Sequence, residues 1–490
     1  MCQNASIKQY FFKKTAAECL DISTQFVTIV SALPHGSFHA VRSARTTLAE
    51  ERTMHRKQPD TLGYTNAEYR IFRKYAVRYL LFFSFLYCCL YCTRLNLSGA
   101  GAAMMGSLGI DSRQFGVLTG TLFWTYGIGQ LVNGRLSEIA GTTRFLILSV
   151  LLSSGVNILM GFQSAMWVMV LLWGLNGFFQ SMAWTPGLAS LTNWWPGNSR
   201  GFATGFANAF SGFGQAVATL AVTLAFKVMP AQGWRAAFWI PTVFPLCMLL
   251  LFVLFTRSTP TAVGLPEYTE NDPERAGYEQ QLRAIAAEKG KLYPFRYVLS
   301  NGRFWLWIMI GVIMGIARYG LSTWIPLYFV EKFQMEITSG LLQSLTLPVG
   351  MGIGTLVVPA LTDRFCPQNR LPAVILSAVV GAASVGGIML LDPRVGAQRV
   401  LLLALLFIAG FCIYAISGTS WAYATDIGGR VFSGTCSGIL DFSAYFGAAL
   451  QSMLYGFLIR VTGWSMVFVS IAVLCASIAL LGALGSRKKS

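Results

Sequence analysis

Two arginines lie inside long apolar stretches of this 490-residue chain, where charged side chains are rare. Arg94 is near the end of the first stretch, and Arg318 lies in the middle of the seventh. An arginine at the centre of a bilayer costs at least about 2.5–3.5 kcal/mol, so it normally faces a cavity or a partner. Its N–H donors form a fixed fork that matches phosphate oxygens. Two such groups predict a site for a phosphoryl dianion. The alternative, extension to the membrane surface, suits Arg94 better than Arg318.

Tyrosines and one acid complete the polar groups in these stretches. The tyrosines are Tyr87, Tyr91, Tyr126, Tyr414 and Tyr445. The first two fall one helical turn apart, on the side of Arg94. We predict that these hydroxyls donate to phosphate oxygens or that the rings stack on a sugar, the alternative being anchors at the membrane interface. Asp441 alone cannot neutralise two arginines, and it is interpreted as a proton carrier, an acceptor for a sugar hydroxyl or a partner in helix packing.

The composition excludes most other chemistry. The chain is 54% hydrophobic and only 12% charged, against about 25% charged residues in a soluble domain. Its three histidines are His35, His39 and His55, which all precede the first apolar stretch, and no nucleophile–base pair or metal cluster is visible. We therefore expect no enzyme, metal or cofactor. A net charge of +17 is typical of basic cytoplasmic loops, so we expect a lipid bilayer rather than nucleic acid as the partner.

The elements that position these residues are apolar runs of membrane-spanning length. They lie near 76–98, 115–136, 145–163, 166–190, 201–226, 236–256, 303–330, 337–362, 371–391, 398–424, 432–459 and 464–485. This order predicts an all-α membrane protein with twelve transmembrane helices in two six-helix bundles. The predicted domains are a polar cytoplasmic extension (1–75), two bundles (76–256 and 303–485), a cytoplasmic linker (257–302) and a basic tail (486–490).

The two halves of the chain repeat. Arg94 and Arg318 recur at nearly the same separation along the chain as Gly233-Trp234 and Gly463-Trp464 do. Such duplication is typical of transporters with a site between two related bundles. An even number of spans places both termini on one side. The basic ends and loops predict that this side is the cytoplasm. We expect the membrane to be the cytoplasmic membrane.

These residues give the chain a family resemblance over about 76–485. The motifs that carry it are Tyr87-x3-Tyr91-x2-Arg94, Tyr126-Gly127, the segment 177–186 with Trp194-Trp195, Asn208, Gly233-Trp234-Arg235, the segment 263–266, the segment 318–328, and Asp363-Arg364 with Asn369-Arg370. The chain resembles the organophosphate:phosphate antiporters of the major facilitator superfamily. The resemblance implies exchange of an organic phosphate for inorganic phosphate. It also implies that the two arginines bind the phosphoryl group, while the five tyrosines and Asn208 line the cavity. We expect a monomer.

Four positions depart from the pattern of bacterial glycerol-3-phosphate carriers. Gln130 replaces a lysine, Ser211 a histidine, Gly315 a tyrosine and Pro348 an acid. Gln130 and Ser211 are therefore candidate site residues whose charge differs from the family's, and a sugar phosphate is at least as good a candidate substrate as glycerol-3-phosphate. Two alternatives stay open: a membrane sensor of sugar phosphate, and a proton-coupled carrier of another organic anion.

Overall fold

A computed structural model describes residues 63–195, 197–266, 281, 284–285, 288–290, 293–365 and 369–487. The extension up to residue 62 and most of the predicted linker lie outside these described residues. The contacts given below all lie within Asn66–Ser490, which forms one unit.

The described residues of the first half are mostly helical. Its helices are α1 (Asn66–Leu90), a 3₁₀ turn (Tyr91–Thr93), α2 (Asn96–Leu108), α3 (Ser112–Ala140), α4 (Thr142–Met160), α5 (Met166–Thr192), α6 (Gly197–Val228) and α7 (Ala236–Phe255). The α1 helix begins at Asn66, ahead of the apolar run predicted from residue 76, because the preceding residues continue the helix with a polar surface. Arg70, Arg73 and Lys74 are exposed there.

The described residues of the second half are also mostly helical. Its helices are α8 (Tyr293–Leu299), α9 (Gly302–Phe333), α10 (Ile337–Ser344), α11 (Thr346–Phe365), α12 (Leu371–Ile388), α13 (Gly396–Thr462) and α14 (Trp464–Arg487). A shared cluster of buried apolar side chains runs through both halves.

Within the described part of the chain, 11 helical segments are long and apolar enough to cross a membrane. The α3 helix is not among them, although its 29 residues exceed the length needed. It packs against α5 on one side and α13 on the other. These contacts cover part of its surface and bury polar groups such as Thr119 and Asn133, while Ile128 and Leu131 on α3 stay exposed. With α3, these segments correspond to the twelve predicted runs.

The α13 helix contains two membrane-length segments, Gly396–Ala424 and Thr435–Thr462. A straight helix rises about 1.5 Å per residue, which would hold Tyr414 and Tyr445 roughly 45 Å apart. The ring centroid of Tyr414 nevertheless lies 4.2 Å from the guanidinium carbon of Arg318. The hydroxyl of Tyr445 lies 3.1 Å from that of the neighbouring Tyr319. The chain therefore turns back between the two segments, and both line the same region.

The two halves meet closely at the end of the molecule where α3 begins. Arg460 Nη1 lies 2.6 Å from an oxygen of Asp111, and the Ser112 hydroxyl donates to the Gly456 carbonyl at 3.0 Å. Gly116 packs on the Ser452 carbonyl, where a Cβ atom would clash. The absence of a side chain at position 116 therefore sets how closely the halves approach at this end.

Candidate functional site

Arg94 is held in the interior by polar and aromatic groups from both halves. Its side chain is 2% exposed. Nε donates to Gln180 at 2.6 Å, and Nη1 donates to the Tyr445 hydroxyl at 3.0 Å. The guanidinium carbon lies 4.6 Å from the ring centroid of Tyr91 and 4.5 Å from that of Tyr126. Nη2 is buried and has no hydrogen-bond partner in the structure.

Arg318 occupies the matching place in the second half. It is 7% exposed and donates from Nη2 to the Tyr91 hydroxyl at 3.1 Å. Its guanidinium carbon lies 4.8 Å from the ring of Tyr319 and 4.2 Å from that of Tyr414. Its Nε donor is buried and has no partner among the described residues. Both arginines are buried beside groups of the opposite half. Neither side chain therefore extends to the membrane surface, which was the alternative for an arginine in an apolar run.

Tyrosines connect the two guanidinium groups. The ring of Tyr91 faces Arg94 while its hydroxyl accepts from Arg318. The rings of Tyr126 and Tyr445 stack at 4.0 Å. Tyr87 is also buried, and its ring meets that of Tyr91 edge-on at 5.7 Å. The structure therefore brings together all five sequence-predicted tyrosines around the two arginines.

The charges of this site are not balanced by close acids. Among the described residues, neither Arg94 nor Arg318 forms an ion pair. Asp441 is half-buried and interacts electrostatically with both arginines, but no described group is its hydrogen-bond partner. An uncompensated buried charge is strongly destabilising. The two arginines and Asp441 together therefore leave a net positive charge in this buried region.

The remaining predicted residues lie at the margin of this cluster. Gln130 donates to the Tyr126 hydroxyl at 2.9 Å and accepts from Thr185 at 2.8 Å, so it braces a tyrosine rather than contacting an arginine. The buried Ser211 side chain lies beside Tyr414, and its hydroxyl forms no hydrogen bond of normal geometry with the described residues. Asn208, one turn earlier on α6, is half-buried, and the described residues offer its side chain no hydrogen bond.

The sequence analysis did not single out several polar residues of the site. Gln180 and Tyr319 contact the arginines or their tyrosines directly. Gln215 donates to the Tyr414 hydroxyl and accepts from Ser322. A small cleft of about 20 Å³ between the halves is lined in part by Gln215 and Ser322. Ser322 lies one turn after Arg318, which is a signal that the sequence offered, whereas Gln180 and Gln215 are polar residues in apolar runs without a charged residue or a tyrosine one turn away.

The helix packing accounts for one departure from the family pattern. Gly315 lies directly against the carbonyl of Ala444, where even a Cβ atom would clash. A tyrosine at position 315 is therefore incompatible with this approach of α9 to α13. Pro348 is buried and lines the cleft beside Gln215.

Comparisons with known proteins identify what this chain is similar to. Residues 83–452 match the family model described as Major Facilitator Superfamily. The chain is 28% identical over 436 residues to a probable hexose phosphate transport protein of Chlamydia pneumoniae, covering 87% of this chain and 94% of the relative. It is 26% identical over 435 residues to a phosphoglycerate transporter protein of Salmonella typhimurium, covering 86% and 89%.

A solved structure shows the same fold. A bacterial homolog of the human lysosomal transporter Spinster, solved in an inward-facing and unoccupied conformation, superposes with a TM-score of 0.66. It is 16% identical and covers 84% of this chain and 97% of that one. The predicted fold class is thereby confirmed as that of a multi-pass membrane protein. The matched proteins are transporters, not enzymes, as the sequence predicted.

Proposed function

Because the chain belongs to the Major Facilitator Superfamily, we propose that it is a secondary transporter that exchanges an organic phosphate ester for inorganic phosphate by alternating access. The names of the two relatives support a phosphate ester as the cargo. We favour a sugar phosphate over glycerol-3-phosphate, because Gln130 and Ser211 stand where bacterial glycerol-3-phosphate carriers have a lysine and a histidine.

One observation carries this proposal: two buried guanidinium groups each keep an unpaired N–H donor, at Arg94 Nη2 and Arg318 Nε. Buried donors of native proteins are normally satisfied, so an orphaned pair indicates a ligand with acceptor oxygens. The surrounding tyrosines supply hydroxyls and rings but no formal charge. A phosphoryl group provides both the charge and the acceptors.

The same charge balance favours exchange over simple uptake. An empty site with two arginines and one acid keeps a net positive charge, and closing it removes that charge from water at a cost. A bound dianion offsets this cost, so the two halves rock readily only when the site is loaded. The apolar runs contain no histidine, which removes the commonest proton carrier near neutral pH.

Asn208 and Asp441 are our candidates for recognising the organic part of the cargo. They occupy matching places in the two halves, on α6 and on the second segment of α13. Both are half-buried. Neither side chain has a hydrogen-bond partner among the described residues, so both are available to the hydroxyls of a ligand. Substitution at either position should change the uptake of the ester more than the exchange of inorganic phosphate.

We also propose a membrane, an oligomeric state and an orientation for the protein. The protein lies in the cytoplasmic membrane as a monomer, with both termini in the cytoplasm. The excess of arginine and lysine at the ends and loops of the chain supports this orientation.

A counterflow panel tests the proposal. Liposomes that contain the purified protein are loaded with labelled inorganic phosphate. Phosphate esters, sulfate and dicarboxylates are then added outside, one at a time. We expect release of label by sugar phosphates and by phosphate, with little release by the other anions. Release by dicarboxylates alone would favour a carrier of another organic anion. No release by any compound, with protein that still binds sugar phosphate, would favour the sensor.

A further inference from the structure

The helix that carries Arg94 is broken at the arginine itself. α1 ends at Leu90, a 3₁₀ turn follows over Tyr91–Thr93, and α2 begins at Asn96. Such a break leaves backbone carbonyls without their usual helical partners, and in a membrane these must be satisfied by other protein groups. The groups that satisfy them identify what holds this segment.

Carboxamide side chains from two other helices take this role. The Thr93 carbonyl accepts from Asn157 Nδ2 at 3.1 Å and from Asn176 Nδ2 at 2.7 Å. The Leu90 carbonyl accepts from the Thr93 hydroxyl at 3.0 Å and from Gln180 Nε2 at 3.4 Å. Each bond to Asn157, Asn176 or Gln180 links α4 or α5 to the broken segment.

The donors are themselves joined into one set, which we term the amide network. Its members are Asn96, Ser153, Asn157, Asn176 and Gln180, and all are fully buried. Ser153 donates to Asn176 Oδ1 at 2.7 Å and accepts from Gln180 at 3.1 Å. Asn96 donates to Asn157 Oδ1 at 2.9 Å. The Oδ1 of Asn96 has no partner among the described residues, but the side chains of Ser153, Asn157, Asn176 and Gln180 bond to one another or to the broken segment. Such connected bonds make this part of the network rigid.

The amide network ends at the guanidinium group. The same Gln180 side chain that donates to Ser153 and to the Thr93 hydroxyl presents its oxygen to Arg94 Nε at 2.6 Å. Its orientation is fixed by those two donations. Gln180 therefore fixes the plane of the Arg94 fork, and with it the direction in which the unpaired Nη2 points.

Arg318 has no equivalent support. It lies in the unbroken helix α9, and no described carboxamide accepts a bond from its guanidinium group. Its recorded hydrogen bond is to the Tyr91 hydroxyl in the opposite half. The hydrogen bond of Arg318 therefore depends on how the two halves meet, while its ring contacts to Tyr319 and Tyr414 lie within its own half. The Nε bond of Arg94 to Gln180 lies within one half, and only its Nη1 bond reaches the other.

We propose that Ser153, Asn157 and Asn176 are positioning residues for the anion site, which hold the break in the first membrane helix so that Arg94 keeps its orientation in every conformation of the transporter. The expected change in transport kinetics rests on the proposed function, whereas the expected change in the structure of the broken segment does not. Loss of the network should leave the arginine charge in place and scatter its direction.

The test compares Asn176→Ala with Asn133→Ala. Asn133 is a matched control, because it is a buried asparagine that donates to Ser181 at 2.7 Å, away from the broken segment. Ser153→Ala serves as a milder second variant that removes one hydroxyl. Hydrogen–deuterium exchange of the amides at 91–96 is measured on purified full-length protein without ligand. Half-saturation for inorganic phosphate and for glucose 6-phosphate is measured in liposomes, with rates per folded protein.

We expect Asn176→Ala to speed amide exchange at 91–96 at least tenfold and to raise both half-saturation values about tenfold at an unchanged maximal rate. Ser153→Ala should act in the same direction by about threefold, and Asn133→Ala should leave both readouts as in wild type. Unchanged amide exchange would overturn the inference. Faster exchange with unchanged half-saturation would show a structural role alone and would also overturn it. A wild-type protein that transports no phosphate would refute the proposed function, while amide exchange would still decide whether the network holds the break.

Discussion

Replacement of Arg318 by lysine separates the charge of the site from its geometry. Lysine keeps one positive charge but loses the planar fork, the donor at Nε and the stacking over Tyr414. The unpaired Nε is the donor that we assign to a phosphoryl oxygen. A hydrogen bond to a charged group contributes about 1.5–3 kcal/mol. At about 1.4 kcal/mol per tenfold, Arg318→Lys should weaken phosphate binding roughly 10- to 140-fold.

The assay is phosphate–phosphate exchange in liposomes over a range of external phosphate, with the amount of folded protein measured in parallel. Arg394→Lys is the control, because Arg394 is an exposed arginine that pairs with Asp392 in the loop before α13. We expect Arg318→Lys to raise the external phosphate concentration that gives half-maximal exchange, and Arg394→Lys to leave it unchanged. A half-saturation within threefold of wild type in Arg318→Lys would refute the assignment of Arg318 to the phosphoryl group.

Two further substitutions test other parts of the account. Asp441→Asn should lower uptake of sugar phosphate at least fivefold more than it lowers phosphate self-exchange, measured in the same liposomes. Equal losses would favour a packing or proton-carrying role for this acid. Gly116→Ala should slow exchange about tenfold while phosphate still raises the melting temperature of the protein, because the added methyl group meets the Ser452 carbonyl where the halves close. Gly106→Ala is its control, since nothing lies within 4 Å of the added atom, and equal rates in the two variants would refute this explanation.

The sequence was sufficient to predict that the two arginines and the five tyrosines lie together in the interior. An arginine in an apolar run has few ways to be tolerated, so Arg94 and Arg318 pointed inward on energetic grounds. The internal repeat then placed them opposite each other. The tyrosines followed from their positions within the same runs, and all five lie around the arginines. Long apolar runs likewise predicted the membrane segments.

The partners of these residues were not predictable in the same way. Gln180 meets Arg94 only because α5 packs on the broken segment, and no local pattern records that contact. The break itself depends on donors from α4 and α5, although the sequence around Arg94 reads as a continuous apolar run. Gly315 illustrates the same limit, since the closeness of α9 and α13 is visible only in three dimensions.

The most direct test of obligatory exchange is whether glucose 6-phosphate and inorganic phosphate move in a coupled way. Liposomes that contain purified protein are loaded with labelled inorganic phosphate or with sulfate, and uptake of labelled glucose 6-phosphate is followed with and without an inward proton gradient. Obligatory exchange predicts that uptake of glucose 6-phosphate requires internal phosphate, is matched by phosphate exit and does not depend on the proton gradient. Strong uptake into phosphate-free liposomes driven by the gradient alone would contradict obligatory exchange and would assign Asp441 the role of proton carrier.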